Sequence, residues 1–361
     1  MDQFKRNIPF GFRFKYGTMQ WFDHFFGRKT FFKNREKFYA KLEKILEKQG
    51  PGQLRPIERR TDLTKKEFMN HYVAKGIPVV MEGAAKDWDC VKTWSPQYFK
   101  ELHGEDDIVI VDQNDADYPY ELLKLKDVID SMGSAKQKYY RFYPLLSRHP
   151  EHLKDFDHKW LKERRTRPIW FNSFQVFMGG KGTYTPLHNA NQGNLFVQVY
   201  GEKNWVLYSH YYTPIIDPLP ARNLYRNAPA KVDHVFNPFE DEFEPPFKLY
   251  KYMDGLTVNL KPGDVFWNPP FYWHTVKNPT DSIGVGYRWL SPFNAYRRSP
   301  LYFSLDMMSF RPPIWKSIGL YKKDLNTLFL EEVRKLADAK KKVAEQEAKK
   351  ATKKEEISKI I

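Results

Sequence analysis

The 361-residue sequence predicts a mainly β domain, an antiparallel barrel or jelly roll, with helices on both sides of it. Between residues 170 and 290 short apolar runs alternate with turn signals, and this spacing is typical of antiparallel barrels. The runs are Phe174–Met178, Leu195–Tyr200, Trp205–Tyr208, Leu256–Leu260, Asp264–Trp267 and Ile283–Trp289. The turn signals include Gly179-Gly180, Gly201-Glu202, Lys261-Pro262-Gly263 and Asn278-Pro279.

An aromatic and basic arm, residues 1–52, precedes the main domain. Its first 50 residues contain 13 aromatic, 12 basic and 5 acidic side chains. A helical pattern begins near Thr30 and stops at Gln49-Gly50-Pro51-Gly52. Basic and aromatic residues together suit an anionic membrane surface or a protein partner. The alternative is that the aromatics pack the arm over the main domain.

The main domain is predicted to span residues 53–300, with the barrel at about 170–292. Its first part has mixed α and β patterning. Thr64 and Glu67 form a capping-box pattern, Ile77–Met81 and Ile108–Val111 are predicted strands, and Trp94-Ser95-Pro96 opens a helix. Residues 301–361 are predicted to be a C-terminal helical segment with a charged tail. Its amphipathic stripe consists of Leu325, Leu328, Val333 and Leu336.

The charge and cysteine content narrow the class of protein. The net charge is +15, but +7 of it lies in residues 1–50 and +3 in residues 331–361. A nucleic-acid enzyme usually carries its positive field on the working domain, so we expect no nucleic-acid partner. The single cysteine, Cys90, excludes an internal disulfide and a cysteine-based metal cluster. No run has the length of a membrane span, which favours a cytoplasmic location, with membrane contact limited to the arm.

Two histidines in the β region are candidate metal ligands. His188 lies in Thr185-Pro186-Leu187-His188-Asn189-Ala190, and His274 ends a segment that starts at Pro262-Gly263-Asp264. A lone histidine near apolar residues is usually a hydrogen-bonded core group. Both of these follow turn signals at the same region of the barrel, and neutral imidazole is a good ligand for Fe(II). We therefore predict that His188 and His274 converge.

The motifs around these histidines resemble the JmjC and cupin-like family of Fe(II)- and 2-oxoglutarate-dependent oxygenases. The matching pieces are T-P-x-H at 185–188, N-x-x-x-Q at 194–198, G-x-K at 201–203, and the segment from Gly263 to His274. The last piece has one residue more before Trp273 than the family pattern. The resemblance covers about residues 55–300 and looks most similar to the asparaginyl hydroxylase of hypoxia-inducible factor. It implies a double-stranded β-helix, the jelly-roll fold of cupins.

The resemblance also implies the ligands of the site. His188 and His274 match the iron-binding histidines, and Lys203 and Thr185 match the residues that hold the distal carboxylate of 2-oxoglutarate. Tyr140 matches a further co-substrate tyrosine, with Tyr139 and Tyr143 as alternatives. Asn194 matches a polar residue that lines the pocket. Without the resemblance, Lys203 would be interpreted as a turn lysine in water.

Ala190 departs from the family pattern. Members carry His-x-Asp or His-x-Glu at this motif, and the acid completes a facial triad of metal ligands. Three explanations are open. Water or a halide fills the vacant position, as in related halogenating oxygenases; or Asn189, Asn191 or Asp264 replaces the acid; or the metal site is degenerate.

Two functions follow from these features. The first is an Fe(II)/2-oxoglutarate oxygenase of hydroxylase or halogenase type, acting on a protein side chain, a lipid or a small molecule. The second is a non-catalytic cupin that binds or assembles other molecules, with the arm as its docking element. Ala190 favours the second, and Lys203 with Thr185 favours the first. C-terminal helices pair subunits in similar enzymes, so the resemblance implies a homodimer.

Overall fold

The computed structural model describes residues 8–111, 120–135, 137–143, 145–219, 225–229, 231, 235–243 and 246–308. Two sheets face each other across an apolar interior and form the predicted jelly roll, which confirms the fold class. The strands are β1 (Leu54–Pro56), β2 (Arg59–Arg60), β3 (Val79–Met81), β4 (Asp107–Val111), β5 (Tyr120–Lys124), β6 (Tyr140–Tyr143), β7 (Phe171–Gly179), β8 (Tyr184–Ala190), β9 (Gly193–Tyr200), β10 (Lys203–Tyr208), β11 (Tyr225–Asn227), β12 (Gly255–Leu260), β13 (Val265–Asn268), β14 (Trp273–Lys277) and β15 (Ser282–Leu290).

From β7 to β10 and from β12 to β15, successive strands alternate between the two sheets. The first sheet has the order β1-β12-β10-β14-β8-β11, and the second has β2-β3-β13-β9-β15-β7-β6. The pairs β1–β12 and β2–β3 are parallel, and the other pairs within these two sheets are antiparallel. Strands β4 and β5 form a separate antiparallel ribbon. Six of the predicted runs coincide with β7, β9, β10, β12, β13 and β15.

Side chains alternate along each strand between the interior and an outer layer. The interior cluster is strongly aromatic and includes Phe177, Phe196, Trp205, Phe266 and Tyr272. The outer face of the second sheet packs on the mixed α and β segment of residues 63–161. The outer face of the first sheet packs on the N-terminal arm. The interior is therefore covered on both sides, and polar side chains that point into it are removed from water.

Helices provide both outer layers. They are α1 (Phe10–Phe26), α2 (Phe32–Glu47), α3 (Lys65–Glu67), α4 (Asp89–Thr93), α5 (Pro96–His103), α6 (Leu125–Asp130), α7 (Leu145–Arg148), α8 (His158–Glu163), α9 (Thr213–Ile216), α10 (Pro292–Arg298) and α11 (Pro300–Met307). A π-helix, Phe68–Val73, continues α3, and short 3-10 helices cover Arg28–Phe31, Pro150–Asp155, His210–Tyr212 and Lys248–Tyr252.

Within the described residues, the arm contains α1 and α2, and one face of these helices packs on the first sheet. Tyr16 and Phe38 are buried with Trp273 of the sheet. The opposite face carries exposed aromatics: Phe10 is 73% exposed and Phe14 66%. The alternative that the aromatics pack the arm over the main domain therefore holds for one face of the arm. Attachment to a membrane or a partner through the exposed face stays a prediction.

Local sequence signals define the layer on the second sheet. The Thr64 hydroxyl accepts a hydrogen bond from the backbone N–H of Glu67 (3.2 Å), which is one half of the predicted capping box, and the Glu67 carboxylate accepts from Arg60 instead of closing the box. Ser95 caps α5 in the same way through the N–H of Tyr98 (3.1 Å). In the C-terminal segment, α11 packs on the end of the barrel. The predicted stripe beginning at Leu325 lies outside the described residues. In the part of the chain that the structure describes, no helix has the length and apolar character to cross a membrane.

Candidate metal and co-substrate site

The structure brings His188 and His274 together inside the jelly roll. The two residues are register partners on the antiparallel strands β8 and β14. Both face the interior, because His274 is also the register partner of Leu207, a member of the interior cluster. Their ring centroids are 4.2 Å apart at an interplanar angle of 53°. Two imidazoles at this separation can bind one metal ion.

The backbone fixes the same tautomer in both rings. His188 donates a hydrogen bond from Nδ1 to the carbonyl of Pro186 (2.8 Å), and His274 donates from Nδ1 to the carbonyl of Tyr272 (2.9 Å). A carbonyl oxygen only accepts, so Nδ1 carries the proton and Nε2 carries the lone pair. Hydrogen bonds of this kind orient metal-ligating histidines in known sites. The pair thus has the tautomer that metal binding through Nε2 requires.

His274 is held in its neutral form. The indole of Trp205 stacks on its ring at 5.4 Å and 23°. Burial, and then the neighbouring His188, lower the pKa of His274 well below its usual range. Arg288 acts in the same direction. A neutral imidazole is the form that binds metal, so no proton has to leave before an ion enters.

Lys203 is the second polar feature of the interior. It is 1% exposed, and its ammonium donates to Asn278 Oδ1 at 2.6 Å. Desolvation lowers its pKa to about 7, and no carboxylate among the described residues pairs with it. Gly201, with φ of +61°, makes the turn from β9 to β10, where a Cβ would lie 1.8 Å from the carbonyl of Asp281. That turn directs Lys203 inward, so the alternative of a lysine in water is wrong.

Lys203 and the histidine pair are spaced for a molecule with two carboxylates. Lys203 lies four residues from Leu207, the register partner of His274, which corresponds to about 13 Å along the strand. An extended lysine side chain and a five-carbon dicarboxylate together span such a gap. Thr185, which is buried, lies on β8 between these two ends and pairs with Val276 of the interior. These donors fit a chelating 2-oxo dicarboxylate with its distal carboxylate on Lys203.

Asn194 is buried beside the site with its hydrogen-bonding capacity unused. It is 3% exposed, and neither amide atom has a hydrogen-bond partner among the described residues. Its register partner is Arg288 on β15. Gly286 keeps the space between them open, because a Cβ there would lie 3.0 Å from Asn194 Oδ1 and 3.3 Å from Arg288 Nε. An unsatisfied buried amide is costly unless a ligand meets it.

Arg288 is a site residue that the sequence analysis missed. It is 5% exposed, and its guanidinium carbon is 5.5 Å from the ring centroid of Phe177 in the interior. The signal was present, since Arg288 is the one charged residue in the apolar run Ile283–Trp289. Lys203 and Arg288 together make the interior cationic, which favours an anionic ligand.

The tyrosine assignment needs correction. Tyr140 pairs with Met178, whose side chain lies on the outer face of the second sheet, and both belong to the outer cluster. Tyr139, one residue earlier, faces the opposite way, and its ring centroid lies 5.7 Å from Lys203 Nζ. Tyr139 is therefore the tyrosine next to the lysine. Nothing is described for the Tyr143 side chain.

Ala190 shares the face of β8 that carries His188, and its methyl group cannot bind a metal. None of the three proposed substitutes takes its place. Asn189 alternates to the opposite face, and Asn191 donates to Asp306 Oδ2 (2.8 Å) outside the interior. Asp264 precedes β13, about 13 Å along the strand from Asn268, the residue that contacts His274. It is engaged there by Arg59 (2.8 Å). The explanation that Asn189, Asn191 or Asp264 replaces the acid as a metal ligand is therefore wrong.

The jelly roll and the histidine pair in its interior are features of cupin-like proteins, and comparison with known proteins agrees with this class. The chain belongs to the cupin-like domain family, whose profile matches residues 65–295. It is similar to lysine-specific demethylase 8 of Xenopus tropicalis, with 27% identity over 62% of this chain and 50% of the relative. It is 28% identical to JmjC domain-containing protein D of Dictyostelium discoideum, over 61% of this chain and 53% of the relative.

Another relative matches over more of its own length. The human tRNA wybutosine-synthesizing protein 5 is 24% identical over 71% of this chain and 84% of the relative. The chain spans about half the length of the first two relatives. The family resemblance is thereby confirmed at the level of cupin-like and JmjC proteins. The special likeness to an asparaginyl hydroxylase stays a prediction.

Proposed function

We propose that this chain is an Fe(II)- and 2-oxoglutarate-dependent oxygenase whose iron has two protein ligands, His188 and His274. The observation that carries the proposal is the buried ammonium of Lys203, which has an amide but no described carboxylate as its partner. Burying a cation without a counterion costs free energy. A co-substrate carboxylate at Lys203 would offset that cost and give the residue a role that a scaffold does not need.

Each residue has a distinct part in this proposal. His188 and His274 hold the metal through Nε2, and Lys203 and Thr185 hold the distal carboxylate. Asn194 offers its unused amide to the oxygens nearer the metal. Trp205 and the other interior aromatics exclude water. The iron, when bound with 2-oxoglutarate, supplies the activation of dioxygen that no protein side chain provides.

Ala190 sets the charge of the site. A facial-triad carboxylate would cancel part of the metal's charge, and here the chain supplies no such group at this position. Anions from solution, the co-substrate carboxylates and a halide, would then take over that role. Hydroxylation and halogenation would both be open to such a site, and whether a halide binds the metal would separate them.

The proposal is tested by loading metal-free protein with Fe(II) and 2-oxoglutarate without oxygen, then admitting oxygen and measuring succinate. The wild type should release succinate above the level of free Fe(II), and His274→Ala should not. His71→Ala is the matched control, because His71 is an exposed histidine on the π-helix. Succinate release that is equal in wild type and His274→Ala would overturn the proposal.

The second candidate function is a non-catalytic binding protein, and Ala190 is the observation that favours it. In that case Lys203, Thr185 and Asn194 would hold a dicarboxylate in the absence of metal. Calorimetry with 2-oxoglutarate in excess EDTA separates the two. Binding that is unchanged by removal of Fe(II), together with no succinate release, would establish the second candidate.

A further inference from the structure

Three histidines meet outside the jelly roll, in the helical layer on the second sheet. His103 ends α5, and His149 and His152 lie at the start of the 3-10 helix Pro150–Asp155. The two segments are more than 40 residues apart in sequence. His152 is buried, and His103 and His149 are half-buried. We refer to His103, His149, His152 and Glu151 as the His103 cluster.

The donor atoms of the His103 cluster are close to one another. His103 Nε2 lies 2.8 Å from His152 Nε2, and His149 Nδ1 lies 3.6 Å from Glu151 Oε1. One ligand atom each from His103, His149 and Glu151 lies within 4.8 Å of the other two. Bonds of about 2.0–2.1 Å at tetrahedral angles place donor atoms about 3.3 Å apart. Donors within 4.8 Å of one another are a small movement away from that separation, and His152, which is outside this group of three, lies beside them.

Carboxylates behind the cluster orient two of the rings. His149 Nε2 donates to Asp106 Oδ2 at 2.8 Å, so its lone pair is on Nδ1 and faces Glu151. His152 Nδ1 lies 3.5 Å from Asp155 Oδ2, which also accepts from Trp94 Nε1 (2.8 Å). This leaves the lone pair of His152 on Nε2, the atom that faces His103. Carboxylate–histidine pairs of this type lie behind the ligands of known metal sites.

His103 and His149 stack nearly face to face, with centroids 3.5 Å apart and an interplanar angle of 21°. An ion lies close to the plane of each imidazole that binds it, so one of the two rings has to rotate out of this stack when the ion binds. The nearby carboxylates of Asp106, Glu151 and Asp155 make the surroundings anionic, which suits a cation. Glu151 is 57% exposed at its side chain and leaves a path from solvent.

We propose that the His103 cluster binds one divalent transition-metal ion, best matched by Zn²⁺, through one nitrogen each of His103 and His149 and one carboxylate oxygen of Glu151. Two histidines and one glutamate are a known zinc set, with water in the fourth position. The ion would join the end of α5 to the 3-10 helix, and both elements pack in the layer that covers the outer face of the second sheet. The site is therefore a structural clamp, separate from the residues of the jelly-roll interior.

The test uses full-length protein that carries His188→Ala and His274→Ala, so that the barrel pair cannot bind metal. After removal of metal with EDTA, this protein is titrated with Co²⁺ and Zn²⁺. It should bind one equivalent, give the visible absorption of tetrahedral Co²⁺, and melt at a higher temperature with Zn²⁺. Adding His103→Ala or His149→Ala should abolish all three signals, and adding His71→Ala should change none.

Two milder variants keep the test decisive if an alanine variant does not fold. Asp106→Asn leaves all three ligands in place and should weaken Zn²⁺ binding by about 10- to 100-fold. Glu151→Gln keeps the side-chain shape and should weaken binding at least tenfold. The proposal is overturned if the protein with His188→Ala and His274→Ala binds no metal. It is also overturned if adding Asp106→Asn or Glu151→Gln to that protein leaves its Zn²⁺ affinity unchanged.

Discussion

The barrel pair, His188 and His274, and the His103 cluster use the same side chain in opposite electrostatic surroundings. The pair lies in a cationic interior with Lys203 and Arg288, and backbone carbonyls orient its rings. The His103 cluster is half-exposed, and Asp106 and Asp155 orient its rings. The difference shows how each site would balance a divalent charge: the cluster does so with its own carboxylates, and the pair depends on anions from solution.

The largest effect is expected from the pair itself. His188→Ala and His274→Ala should each weaken Fe(II) binding by more than about 100-fold, since loss of even an outer-shell partner costs 10- to 100-fold. Anaerobic Fe(II) titration in a His149→Ala background measures the barrel site alone. Zn²⁺ binding by the cluster, measured in a chain with His149 intact, should be unchanged. An Fe(II) affinity that is unchanged by His188→Ala or His274→Ala would contradict the assignment of the pair as the iron ligands.

Substitution of Lys203 tests whether the cationic interior binds the anion that balances the charge of the metal. Lys203→Met should weaken 2-oxoglutarate binding by about 10- to 100-fold, because a charge-assisted hydrogen bond is lost while the side-chain volume is kept. Calorimetry with Fe(II)-loaded protein gives the affinity. Lys162→Met is the matched control, since Lys162 is an exposed lysine on α8. Equal affinities in Lys203→Met and wild type would show that the anion binds elsewhere.

The pKa of Lys203 predicts how stability depends on pH. Its folded-state pKa of about 7 lies below the usual 10.5 of an unfolded lysine. Between these values the unfolded chain binds more protons, so stability is lowest below pH 7 and rises as the pH increases. Asn278 and the ring of Tyr139 are the groups that face the ammonium.

From pH 7 to 9 the gain in the free energy of unfolding from this residue should be at most about 2 kcal/mol. Urea unfolding of the metal-free protein at several pH values measures it, with Lys203→Met as the reference. The difference between the two proteins should grow as the pH falls towards 7 and should shrink when 2-oxoglutarate is added. A constant difference from pH 7 to 9 would contradict the assignment.

The smallest effect is expected from restoring the acid. Ala190→Asp should strengthen Fe(II) binding in the absence of 2-oxoglutarate by about tenfold, because a carboxylate would reach the metal from the face that carries His188. It should also remove any effect of chloride on the metal's absorption spectrum. Ala190→Asn, with similar volume and no charge, is the control. A chloride effect that persists in Ala190→Asp would contradict this account of the open position.

Sequence patterns predicted the sheets better than the site. The six apolar runs became strands because their alternating side chains fill the interior and the outer faces of both sheets. Strands β8 and β14 were not among them, although they carry His188 and His274. Pro186 and the polar residues of β8 weaken its strand pattern, and the register with β14 comes from tertiary pairing.

The two sites also differ in how far sequence could predict them. The motifs around His188, Lys203 and His274 are local, so a family resemblance identifies them. The choice between Tyr139 and Tyr140 depends on which face of β6 and β7 each side chain takes, which one residue of register decides. His103 lies more than 40 residues from His149 and His152, and each alone has the pattern of an ordinary surface or core histidine. Only the fold brings them together.

The most direct test of the central claim is an Fe(II) titration of the barrel site with and without 2-oxoglutarate, in a His149→Ala chain under anaerobic conditions. A parallel Zn²⁺ titration of the His103 cluster uses the chain with His188→Ala and His274→Ala. We expect 2-oxoglutarate to strengthen Fe(II) binding at least tenfold and to leave Zn²⁺ binding unchanged. Fe(II) binding that is equal with and without 2-oxoglutarate, or absent in both, would contradict the claim that anions from solution complete the barrel site.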